Sequence, residues 1–87
     1  MLTDLLNELN SYLRLHEYLM WFSLVIDPIR DSEWPLKLYL CQHDHNQGPN
    51  SIIQTEYAKF PSQVAAIVGL NEETVRWSQA EREDAGD

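Results

Sequence analysis

Cys41, His43 and His45 form a C-x-H-x-H pattern, and thiolate and imidazole are ligands that zinc favours. On an extended strand, two-residue spacing sends all three side chains to one face, as a ligand set requires. A structural zinc site needs a fourth ligand. His16 and Asp44 are candidates, but no recognised spacing ties either to the other three. His43 and His45 also stand at the mouth of a turn-forming segment, where polar residues need no special explanation. Nucleophilic catalysis would need Cys41 or a serine beside a base that a third group orients. On a strand, Cys41 and His43 flank an intervening residue and need not touch, so Cys41 reads as a small buried or half-buried side chain. Gly48, Gly69 and Gly86 are isolated, which leaves no phosphate-cradling loop. The acids are scattered, and no pair is set apart as general acid and base. These residues imply neither an enzyme nor a bound cofactor.

The charge balance says more about partners. Fourteen Asp and Glu against six Lys and Arg give a formal charge of −8, with a pI near 4.6. Because 44% of the residues are apolar, the composition is that of a folded domain and not of an acidic tail. Phosphate backbones are held by Lys and Arg, so this balance disfavours direct nucleic-acid binding. It equally disfavours anionic membrane surfaces. The apolar run Tyr18 to Ile26 is far short of the roughly 20 residues that span a bilayer, so no membrane partner is expected. A single cysteine and an N-terminus carrying Asp4 and Glu8 in place of a basic leader fit a reducing, cytoplasmic setting.

The 87 residues allow one domain, 1–87, with 83–87 a polar tail expected to fray. Leu2, Leu5, Leu6, Leu9, Tyr12, Leu13 and His16 recur at three- and four-residue spacings, predicting an amphipathic helix with Thr3 as its N-cap and Asp4 at the positive end of its dipole. Trp21 to Ile26 is aromatic and β-branched and reads as a strand, which Asp27-Pro28 ends. Leu36, Leu38 and Leu40 alternate with Lys37, Tyr39 and Cys41, the two-residue period of a strand with one buried face. Asp44 to Asn50 is a turn, and Ile52-Ile53 begins either a return strand or a helix. Pro61 or Ser62 opens a helix through Val68. Gly69 suits a stop, and Asn71 caps a second helix from Glu72 to about Arg82.

The expected fold is therefore α+β: an N-terminal amphipathic helix, a small antiparallel sheet over about Met20 to Glu56, and two short C-terminal helices. The alternative is an all-α bundle in which residues 3 to 26 form one long helix. Residues 61–80 resemble the helix-turn-helix of DNA-binding regulators. Ala65, Gly69 and Val75 match its small contact residue, turn glycine and second-helix anchor, and Val64, Val68 and Leu70 match its core positions. Ser78 departs from the pattern where an apolar residue is usual. The resemblance implies a transcriptional regulator that puts the start of its second helix in the major groove. Here that start is Asn71-Glu72-Glu73, and residues 61–87 carry six acids and two arginines.

Trp21, Trp34 and Trp77 are many for so small a chain. Trp21 is assigned to the core. Trp34, in a connecting segment, and Trp77, on the last helix, are candidate interface anchors. In size and charge the chain is similar to anti-CRISPR, immunity and antitoxin-type inhibitors, a likeness of composition without residue correspondence. The expected function is thus a small acidic protein-binding module that blocks a basic, nucleic-acid- or ligand-binding site on a partner protein. Glu72, Glu73, Glu81, Glu83 and Asp84 would supply attraction, and Trp34 or Trp77 the apolar contact. The alternative is the helix-turn-helix regulator, which would act as a homodimer that masks part of its own charge.

Overall fold

Leu2, Leu5, Leu6, Leu9 and Leu13 share one stripe of a helix, and they are the side chains that α1 (Leu2–Leu15) turns inward. The computed structural model describes residues 1–15, 20–44, 46–48 and 50–86, the side chains of 15 and 81–86 excepted; His16, Tyr18, Leu19, His45 and Asp87 lie outside it. The Leu5 N–H donates to the Met1 carbonyl at 3.1 Å. Met1 therefore takes the capping place, two residues earlier than expected, and Thr3 sits in the first turn instead of capping it. Asp4 in that turn and Arg14 in the last both complement the macrodipole.

Three strands follow, β1 (Met20–Ile26), β2 (Leu36–His43) and β3 (Ile52–Phe60), antiparallel in the order β1-β2-β3. Aromatic and β-branched residues decide β1 as a strand, so the all-helical alternative does not hold. The β1–β2 connection is built on two aspartates. Asp27 Oδ1 accepts the Arg30 N–H at 3.2 Å, Asp31 Oδ1 accepts the Trp34 N–H at 3.1 Å, and the Asp27 N–H closes onto the Pro35 carbonyl at 2.8 Å. In the next connection the Asp44 N–H bonds the Ser51 carbonyl at 2.9 Å, and Gly48 supplies a φ of 126°, which only glycine adopts freely.

Register divides the sheet into two faces. Phe22 opposes Leu40, Leu24 opposes Leu38, and Leu38 opposes Ala58. This set meets Leu9 and Leu13 of α1 and Leu70 of the C-terminal helix in one core cluster. Trp21, Ser23 and Val25 point the other way, with Lys37, Tyr39, Cys41 and His43 beside them. Trp21 is therefore corrected from the core to the opposite face, and Phe22 takes its place. Both helices lie on the Phe22 side, giving one helical layer on one sheet, with a Cα extent of only 17 Å in the thin direction.

The second correction concerns the C-terminus. Residues 63–86 form one helix, α2 (Gln63–Gly86), where two short helices were expected. Ser62 opens it, its hydroxyl accepting the Ala65 N–H at 3.2 Å and its carbonyl the Ala66 N–H at 3.1 Å. The turn at Gly69 does not form, because the inward residues continue across it. Ala66 and Leu70 are buried and Trp77 packs on the core, at spacings of four and seven. A corner would swing Trp77 away from Leu70. The helix-turn-helix corner is thus absent. The backbone of residues 83–86, the tail expected to fray, continues the helix.

Gly69 serves packing. A Cβ built there would lie 2.7 Å from Cζ of the Phe60 ring and closer still to Cε1. Gly69→Ala is therefore expected to destabilise the domain by about 1–3 kcal/mol through overpacking, despite the roughly 1 kcal/mol that alanine gains over glycine inside a helix. Adding Phe60→Leu should make the same alanine neutral or favourable. Thermal unfolding of the four proteins measures that coupling, and strictly additive losses would contradict the contact.

Candidate protein-binding surface

Every described carboxylate lies outside the core, since among the described residues no polar or charged one is buried. Asp4, Glu8, Glu33, Glu56 and Glu72 are exposed. Three others are engaged: Asp27 with Arg30 at 3.6 Å, Asp31 with Lys37 at 3.4 Å and Glu73 with Arg76 at 2.8 Å. The Trp34 N–H, helped by Lys37, holds the Asp31 carboxyl below its ordinary range.

The two central acids of the expected site are unlike each other. Glu72 is exposed on the outside of α2. Glu73 turns toward β3, where it accepts a hydrogen bond from Tyr57 Oη at 2.9 Å while also holding Arg76. Its side chain is only 12% exposed, so this carboxylate is committed to fixing α2 against the sheet. Burial, reinforced by the Glu73 carboxylate, raises the Tyr57 phenol above its usual value. The side chains of Glu81, Glu83 and Asp84 lie outside the described residues.

Trp34 is at the surface, 36% exposed, with Lys59 Nζ 5.2 Å from its ring centroid. Trp77 is half-buried against the core cluster, so the two tryptophans have different surroundings. On α2, Val64, Val68 and Val75 are exposed and fall on one side of the helix.

Cys41 and His43 do share a face, as their spacing requires. His43 lies against Trp21, ring centroids 5.2 Å apart. Cys41 is buried, and burial pushes its thiol up, away from the reactive thiolate. Among the described residues no three His, Cys, Asp or Glu side chains are grouped to hold a metal. His45 lies outside them. A cleft of about 210 Å³ lined by Leu2, Ile26, Leu36 and Gln63 falls below the ~300 Å³ at which ligand pockets begin. No described helix is long and apolar enough to cross a membrane.

Two features escaped sequence reasoning. One is the half-buried face formed by Trp21, Ser23, Tyr39 and Cys41, whose only signal was that both faces of Trp21-Phe22-Ser23-Leu24 carry apolar groups. The other is the exposure of the outer strand β3 from Ile52 through Tyr57, where the residues alone leave Ile52-Ile53 open between a return strand and a helix. With no alternation of burial, Ile-Ile-Gln-Thr-Glu-Tyr has no periodic signature. No family model, curated protein or solved structure matches the chain.

Proposed function

We propose that this protein is an acidic protein-binding module that occupies a basic, nucleic-acid- or ligand-binding site on a partner protein. The observation that carries the reading is the distribution of charge: a formal −8 with every described carboxylate kept out of the core of a thin two-layer body. Such a surface attracts a cationic site over distances longer than a contact and speeds association. Glu72, exposed on a rigid helix, contributes attraction without a structural duty of its own, and Trp34, at the surface, offers aromatic area.

The test is affinity capture from the native host's lysate, followed by association kinetics with the captured partner. Glu72→Lys is expected to slow association severalfold at low ionic strength, with the difference shrinking as salt screens it. An association rate unchanged at low salt would remove Glu72 from the interface. Tight, sequence-selective binding of the purified protein to duplex DNA would overturn the reading as a whole.

A further inference from the structure

The two edges of the sheet are treated differently. Phe22, on edge strand β1, donates its N–H to Asn10 Oδ1 at 2.7 Å and accepts Asn10 Nδ2–H at its carbonyl at 3.0 Å. One carboxamide from α1 thus imitates a neighbouring strand and covers β1. This pairing also sets the polarity of the ladder. Phe22 directs both polar groups away from β2, so its partner Leu40 directs both toward β3, and Thr55 opposite Leu40 directs both inward. By alternation, Ile52, Gln54 and Glu56 present N–H and C=O outward. Among the described residues no strand pairs with this side of β3, and residues 52–57 are all exposed.

We infer that the outer edge of β3, residues 52–56, receives an extended basic segment of a partner protein as a fourth strand of the sheet. This rests on the acidic-module reading and names its docking site. Outward amides and carbonyls two residues apart are matched in register only by another extended backbone. The bulge at Tyr57, between the pairings of Leu38 and Tyr39, ends the regular edge and so sets its length. On the helix side of the added strand lie Ile53 and Tyr57, 38% and 41% exposed. On the other side lie Ile52, Gln54 and Glu56, with Lys59 on that face beyond the bulge. Glu72, exposed on α2 on the helix side of the sheet, adds long-range attraction and not a contact with the cationic side chains of that strand. Alternating apolar and cationic residues complement this edge. A second copy of the chain would bring another −8 to it, so charge favours a basic occupant over self-pairing.

The probe is a synthetic peptide alternating Lys and Val over seven residues, titrated into the intact protein and followed by amide shifts and hydrogen exchange. Slowed exchange at Ile52, Gln54 and Glu56, with little change at inward-facing Ile53 and Thr55, is expected. Gln54→Pro removes one outward donor while leaving the β2 ladder intact, and should weaken binding by about tenfold or more. A Lys-Pro alternating peptide of equal charge should fail to protect the edge. Equal binding of the two peptides, or peptide binding indifferent to Gln54→Pro in a variant that melts like the parent, would overturn the proposal. So would protection of the same amides that grows with protein concentration alone, which would make the occupant a second copy. Association with the captured partner that depends on Glu72 but survives Gln54→Pro would remove the edge and leave the acidic-module reading standing.

Discussion

Leu38→Ala is expected to lower the unfolding free energy by about 2–5 kcal/mol, as fully buried leucines do when truncated. Leu38 is wholly inaccessible, lies on the central strand between Leu24 and Ala58, and belongs to the cluster that joins both helices to the sheet. Its removal leaves a cavity that neither neighbouring strand can close without losing register. For 87 residues the whole stability is roughly 4–13 kcal/mol, so the variant sits close to the unfolding threshold. At about 4–8 °C per kcal/mol for a domain this size, the melting temperature should fall by about 8–40 °C. Val68→Ala, on the exposed side of α2, should change stability by no more than about 0.5 kcal/mol. Thermal and urea unfolding compare them, and a loss below about 1 kcal/mol for Leu38→Ala would contradict the packing described.

The second large effect belongs to Asn10. Asn10→Ala strips both hydrogen bonds from the Phe22 backbone, and leaving such groups partly buried and unmade costs about 1–3 kcal/mol. Because the same side chain covers β1, its loss also uncovers an edge, and concentration-dependent association should accompany the lower melting temperature. Asn10→Asp keeps the acceptor for the Phe22 N–H but loses the donor, and faces the Phe22 carbonyl with a carboxylate. It should be no more stable than Asn10→Ala at pH 7. Asn10→Asp melting like the parent would show that only one of the two bonds matters.

The expected order of elements held where a single periodicity ruled a segment. The α1 stripe and the Leu36-Leu38-Leu40 alternation each bury one face and leave the other wet, and both form as read. Residues 61–80 read as a corner because Gly69 and Asn71 are locally good turn residues. Local preference there is worth about 1 kcal/mol, less than burying Leu70 and Trp77 together. The sequence signal for the continuous helix is the unbroken spacing of Ala66, Leu70 and Trp77. The candidate surface divides in a similar way. Acidity and the exposure of Glu72 and Trp34 follow from the chain, but the diversion of Glu73 into a bond with Tyr57, a residue sixteen positions away, does not.

Composition and net charge are sums over the residues whatever their order, and the amphipathic first helix, the strand character of 21–26 and 36–41 and a helix start at Pro61 or Ser62 are legible in the chain because each depends on neighbours within a few residues. Tertiary structure decided that α2 is continuous, that Gly69 seats the Phe60 ring, that Asn10 closes one sheet edge and that β3 stays open on the other. Each of these depends on groups from separate elements meeting in space, where burial and hydrogen-bond satisfaction outweigh local conformational preference.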